Sequence, residues 1–89
     1  MAKTALSNCD KMVRRALFDC GCQTTQELKC YSNRKFNEDY STGAIGAALR
    51  KMVERGLAAH SENEKGQKVY WMTPLGEEAV AQMIVKGEL

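Results

Sequence analysis

The chain has little of what marks a specialised surface or a reactive centre. Its 89 residues include one proline, one histidine, one tryptophan, three tyrosines and two phenylalanines. No apolar run approaches the roughly 18 residues that cross a bilayer, so no membrane span is expected. The opening MAKTALSNCDK lacks the apolar centre of a secretion signal, and a cytoplasmic location is expected. Charge of one sign is missing as well. Thirteen basic side chains face eleven acidic ones for a formal net charge of +2, too mild by itself to demand a nucleic-acid partner. The lone His60 and four cysteines, at positions 9, 20, 22 and 30, lack the paired spacing of a structural zinc site, so no metal is expected. There is no nucleophile–base pair with supporting residues, no glycine-rich phosphate loop and no usefully spaced pair of carboxylates. Neither catalytic residues nor a cofactor are therefore expected, and the chain does not read as an enzyme. With no internal repeat or low-complexity linker, residues 1–89 read as a single domain around one core.

What is present is periodicity. Ser7 with Asp10 forms a capping pattern, and Cys9, Met12, Val13, Ala16, Leu17 and Cys20 recur at steps of three and four along one helix face. Gly21 stands where that first helix should end. Cys9 and Cys20 read as buried, reduced thiols that behave as small hydrophobes. The alternative is thiol chemistry at Cys20-Gly21-Cys22, with Arg14 and Arg15 close by in sequence. Cys22-Gln23-Thr24 has room only for a short extended connection. Thr24 with Glu27 opens a second helix, Thr25 to about Ser32, with Leu28 inward and Tyr31 a further core candidate. Residues 32–40 (SNRKFNEDY) are polar and unperiodic, roughly twice the link of a compact helix-turn-helix. Either the second helix runs further, or a loop carries Arg34, Lys35 and Phe36 outward.

Ser41 caps a third helix that is stopped by Gly56 and buries Ile45, Ala48, Leu49, Met52 and Val53. Thr42, Gly43, Gly46, Ala47, Arg50, Lys51 and Glu54 occupy its other face. Interior glycines cost about 1 kcal/mol each against alanine and suit a close backbone approach, by the second helix, by DNA or by a partner protein. Residues 57–61 and 68–72 read as strands around the polar turn ENEKGQ. Alternation puts Tyr70 and Met72 on one face and Val69 and Trp71 on the other. With the first pair inward, Trp71 is left at the surface or in an interface. Thr73 caps a fourth helix with Pro74 at its first position. Leu75, Ala79, Val80, Met83 and Ile84 form its inward stripe, which Ala81 and Val85 widen. His60 falls near a strand end, as a surface or wing-base residue.

Helix, ribbon and helix in unbroken order build a winged helix-turn-helix: an α+β, mostly α, class with a three-helix core, a two-stranded β wing and a C-terminal helix. The stretch ALRKMVERGLAAHSENEKGQKVYWMTPLGEEAV resembles winged helix-turn-helix regulators of the MarR, PadR and ArsR type. Leu49, Met52, Val53, Gly56, Leu57, Tyr70, Met72, Thr73 and Gly76 carry the resemblance, which runs from Ile45 to Val80. It implies a small transcriptional regulator of double-stranded DNA, with the third helix in the major groove and the wing on the backbone. Under that reading the DNA-binding residues are Arg34, Lys35, Ser41, Thr42, Gly43, Ala47, Arg50, Lys51, Lys65 and Lys68, with Gly66 making the wing turn. Between Thr42 and Ala47 no side chain suits direct base readout, so sequence reading leans on Ser41, Thr42, Arg50 and the preceding loop. A homodimer through the first and fourth helices is expected, because one such domain makes few base contacts. The competing reading is a protein-interaction module, an adaptor or inhibitor, on the same scaffold. It rests on the Gly/Ala face of the third helix and on Trp71 and Val85 as interface residues.

Overall fold

Each helix begins where a hydroxyl can accept one of its free N–H groups. In the computed structural model, which describes residues 7–89, the four are α1 (Asn8–Cys20), α2 (Thr25–Phe36), α3 (Thr42–Glu54) and α4 (Pro74–Val85). The hydroxyls of Ser7, Thr24, Ser41 and Thr73 accept from the backbone of Asp10, Glu27, Ala44 and Gly76 at 3.1–3.2 Å. Asp10 and Glu27 return the bond to the cap's own N–H, closing capping boxes on α1 and α2. Such caps typically stabilise by about 1 kcal/mol each, and here they fix where the chain turns into each helix.

Val13, Ala16 and Leu17 of α1 meet Leu28 and Tyr31 of α2 and Ile45, Ala48, Leu49 and Met52 of α3 in one core. Val80 of α4 and Ala58 and Met72 of the sheet close it from the other side. The sheet holds β1 (Gln23–Thr24), β2 (Ala58–Glu62) and β3 (Lys68–Met72), in the order β1-β3-β2 and antiparallel throughout. The two-stranded β2–β3 ribbon therefore gains a third strand along its β3 edge. Gln23 and Thr24, read from sequence as part of a short extended connection, pair with Tyr70 and Val69. The extended backbone that caps α2, with Thr24 at φ −85° and ψ 166°, is also the geometry a strand edge needs.

α2 continues to Phe36 and ends on Asn37 in the left-handed region (φ 52°), so only residues 37–40 separate it from the Ser41 cap. That is an ordinary helix-turn-helix link. Ser32 does not break α2, because its buried hydroxyl donates to the carbonyls of Lys29 and Glu38. Lys29 holds the link from below, pairing with Asp39 at 2.7 Å and donating to the Tyr40 carbonyl at 2.8 Å. Tyr40 in turn bonds to the Glu38 carboxylate. Burial, then that bond, pushes the Tyr40 hydroxyl up to about 12.

The hairpin base locks α3 to α4. Thr73 accepts from Gly76 N, donates through its hydroxyl to the Gly56 carbonyl at 2.7 Å, and donates through its N–H to the Leu57 carbonyl at 3.0 Å. Gly76 lies so close to the Leu57 backbone, just ahead of β2, that a Cβ there stands 2.0 Å from the Leu57 oxygen. This contact corrects the stripe read for α4. With Gly76 and Val80 inward, Leu75 turns out and is 58% exposed, while Met83 and Ile84 remain half-buried. The cysteines need correction too. Cys20, Cys22 and Cys30 are exposed and Cys9 is half-buried, because α1 buries Met12, Val13, Ala16 and Leu17 and leaves its last turn outside the core. No helix of the described residues is long and apolar enough to cross a membrane.

Candidate nucleic-acid interface

Two helix N-termini and the hairpin converge on one face. Thr24, Thr25 and Gln26 at the start of α2, Thr42 at the start of α3, and Gln67, Lys68 and Tyr70 of the hairpin line a single open cleft. A second cleft continues from Thr24 and Gln26 to the hairpin tip, past Glu62, Asn63, Glu64, Lys65 and Gln67. Helix N-termini carry partial positive charge and unpaired N–H groups, and both suit anionic oxygens. β1 makes this convergence possible, since its pairing with β3 ties the start of α2 to the hairpin.

The hairpin tip is built around Asn63. Its side-chain oxygen accepts from the N–H of Lys65 and of Gln67 at 2.9 and 3.0 Å, and its own N–H donates to the Gln67 carbonyl. Gly66 supplies the positive φ of 77° that the turn needs. At the hairpin's waist His60 packs on Tyr70, with ring centroids 5.4 Å apart.

The outward face of α3 is smooth. Thr42, Gly43, Ala44 and Ala47 are exposed. A Cβ at Gly46 meets nothing within 4 Å, and one at Gly43 meets only the Ser41 hydroxyl, at 3.9 Å. The packing of α2 against α3 therefore does not require either glycine.

Charge on this face is mixed. Arg50, Lys65 and Lys68 make no ion pair among the described residues, whereas Lys51 pairs with Asp10 at 3.3 Å. Burial works to raise the Asp10 carboxyl, but the Ser7 N–H and hydroxyl and the Lys51 ammonium outweigh it and hold it below its ordinary value. Glu62 sits directly across the ribbon from Lys68, and Glu64 adjoins Lys65, so the tip carries as many acids as bases.

Arg34 and Lys35 belong to the last turn of α2, about 12 Å along the helix axis from Gln26. Lys35 lines a separate hollow with Lys11, Arg15, Asp19, Tyr31, Phe36 and Leu89, and the structure does not bring it to the cleft. Ser41, Thr42, Gly43, Ala47 and Arg50 share the exposed side of α3, with Ser41 engaged as the cap. Trp71 is half-buried opposite Ala59, and Val85 is 87% exposed. Sequence reasoning missed Thr25, Gln26, Gln67 and Tyr70. The signal for the first two was the capping box that fixes the start of α2, and for Gln67 its place beside the turn glycine. Among the described residues no group of three or more His, Cys, Asp or Glu side chains is placed to hold a metal ion.

No family model and no curated protein matches the chain. Solved structures do. RosR of H. salinarum superposes with a TM-score of 0.81 over 92% of this chain and 74% of its own, at 22% identity. BpsR of Bordetella bronchiseptica, whose DNA binding is regulated by 6-hydroxynicotinic acid, gives 0.78 over 96% and 58%, at 18% identity. A transcriptional regulator of the MarR family from Silicibacter pomeroyi gives 0.75 over 88% and 49%, at 14% identity. The fold is a winged helix-turn-helix. In its terms α2 and α3 are the helix-turn-helix pair, joined by a link of ordinary length at residues 37–40, and the β2–β3 hairpin is the wing.

Proposed function

We propose that this winged helix binds double-stranded DNA as a transcriptional regulator. The observation that carries the proposal is the convergence of the α2 and α3 N-termini with the wing on one open face. The smooth outer side of α3 lies beside it. In this reading α3 lies in the major groove, where the absence of side chains at Gly43 and Gly46 lets its backbone come close to the duplex. Arg50 and the N–H groups opening α2 and α3 hold phosphates, which fix register without reading sequence. Lys65 and Lys68 reach the neighbouring backbone from the wing. Base reading falls to Ser41, Thr42 and Arg50, joined by Gln26 and Gln67, whose amides match the donor–acceptor edge of adenine. Lys51 contributes less than its exposure suggests, since Asp10 neutralises it. Arg34 and Lys35, in the last turn of α2, are left to flanking phosphates beyond the cleft.

The regulator acts as a homodimer in the cytoplasm. Val85 and Leu75 on the outer side of α4 (87% and 58% exposed) offer apolar surface with no partner among the described residues, and two half-sites give the contacts that one domain lacks. The test is a gel shift on random duplex DNA across a salt series, comparing wild type with Arg50→Ala and Lys65→Ala/Lys68→Ala. Binding should weaken steeply with salt, and each variant should lower the log–log slope by about 0.9 for every phosphate it no longer neutralises. A salt-independent affinity contradicts the proposal.

One observation favours a second reading, a protein-interaction module. The smooth face of α3 is a surface onto which another helix can pack, with the exposed Leu75 and Val85 of α4 as further apolar contacts. Val85→Glu separates the two readings. Loss of partner capture together with absence of any duplex binding by wild type supports the module, whereas salt-sensitive duplex binding supports the regulator.

A further inference from the structure

A hollow between α1 and α2 gathers more positive charge than this chain neutralises. α1 presents Lys11, Arg15 and Asp19 to it from successive turns of one face, and α2 presents Tyr31, Lys35 and Phe36. Leu89 closes the remaining side. Arg15 Nε meets Asp19 Oδ2 at 3.0 Å, and those two charges offset each other. Lys11 and Lys35 make no ion pair among the described residues. The hollow is therefore left with two unmatched ammonium groups. A monocarboxylate offsets one of them, whereas a phosphate monoester, with a charge of about −1.5 to −2 near pH 7, offsets both.

The same hollow holds an aromatic surface and a spare acceptor. Phe36 is 42% exposed, and the buried Tyr31 meets its ring edge-on, with centroids 5.9 Å apart. Tyr31 is itself fixed, because its hydroxyl donates to Asp19 Oδ2 at 3.0 Å. The Phe36 ring is thus steadied from beneath while staying open to solvent. Asp19 Oδ2 accepts from both Arg15 and Tyr31. Its Oδ1 takes no hydrogen bond from the described residues, which leaves it able to accept from a hydroxyl. The cavity measures about 280 Å³, near the lower end of small-molecule pockets at roughly 300 Å³. That is room for one flat ring and one phosphate.

We propose that the hollow between α1 and α2 binds a nucleoside monophosphate. The phosphate lies with the ammonium groups of Lys11 and Lys35, the base stacks on Phe36 beside Leu89, and a sugar hydroxyl donates to Asp19 Oδ1. A dianionic phosphate, a flat ring and a hydroxyl between them use all three features of the hollow at once. Stacking on an aromatic face accepts every base, so the geometry selects the class of ligand rather than one base. The site goes beyond the DNA-binding reading, because Lys11, Asp19 and Phe36 lie outside the cleft at the wing. Lys35 is the one residue common to both, and the test leaves it unchanged.

The test is titration calorimetry on the DNA-free protein at fixed ionic strength. The probes are AMP, UMP, adenosine, glycerol phosphate and inorganic phosphate. The nucleotides should bind roughly tenfold or more tightly than adenosine, glycerol phosphate or inorganic phosphate, since base and phosphate are held together. Lys11→Ala should weaken nucleotides and glycerol phosphate alike. Phe36→Ala should weaken the nucleotides by about fivefold or more and leave glycerol phosphate unchanged. Phe36→Leu, which keeps apolar bulk but removes the ring, should do the same and keeps the test decisive even if Phe36→Ala fails to fold. Nucleotides that bind no more tightly than glycerol phosphate or adenosine overturn the proposal. So does nucleotide binding that Lys11→Ala and Phe36→Leu leave unchanged. Duplex binding is a separate readout, so failure of the DNA-binding reading leaves the nucleotide result standing.

Discussion

Single atoms decide several positions in this fold, and glycine shows it in both directions. At Gly76 a methyl group collides with the Leu57 carbonyl at 2.0 Å and with Met72 Cγ at 2.7 Å. Backbone cannot step aside as a side-chain tip can, so Gly76→Ala is expected to cost about 2–3 kcal/mol, read as a lower urea midpoint. At Gly46 a methyl group meets open space. Gly46→Ala should therefore stabilise the protein by about 0.5–1 kcal/mol, whereas Gly46→Leu should keep the fold and weaken duplex binding at least roughly tenfold if a groove must fit against α3. Asp10 has its own signature. Its folded carboxyl titrates below its ordinary value, so its stabilisation is present above that value and is lost as pH falls through the folded one. Thermal midpoints between about pH 6 and pH 2 should fall less steeply for Asp10→Asn than for wild type.

Elements differ in how far the amino-acid sequence alone discloses them. The four caps are contacts between residues three apart, so Ser7, Thr24, Ser41 and Thr73 were legible. So was the hairpin, whose turn is set by Asn63 and Gly66. The resemblance to winged helix-turn-helix regulators rests largely on the α3–wing–α4 junction. There Gly56, Leu57, Thr73 and Gly76 satisfy one another's backbone groups and leave no space for a side chain at Gly76. What could not be read depends on contacts distant in sequence. Ser32 looks like a polar breaker until the Glu38 carbonyl arrives to accept its hydroxyl. β1 is two residues long and exists only because β3 lies beside it. That pairing brings Gln26 to the cleft, which is why the α2 contribution to the site escaped a reading by local pattern. The wing gives a prediction of its own. Glu62 and Glu64 oppose the charge of Lys68 and Lys65, so Glu62→Gln/Glu64→Gln should tighten duplex binding at low salt and lose that advantage as salt rises, measured by fluorescence anisotropy.

For the molecule as a whole, the charged and apolar surfaces point to separate roles. The N-terminal ends of α2 and α3 with the wing form a polar face, and α4 exposes the apolar Leu75 and Val85 among Glu77, Glu78 and Gln82. If α4 makes the dimer, Val85→Glu should yield a monomer by light scattering and should reduce affinity for a two-half-site duplex more than for a single half-site. The fold's likeness to RosR and BpsR speaks for the scaffold, while the role assigned to it depends on cations that face outward unpaired. That dependence is most directly tested by the salt slope of duplex binding, wild type against Lys65→Ala/Lys68→Ala. The account predicts a linear log–log fall in affinity for wild type and a shallower slope for the double variant, by about 1.8 if both lysines meet phosphates. Equal slopes, or no binding to duplex DNA at low salt, contradict it.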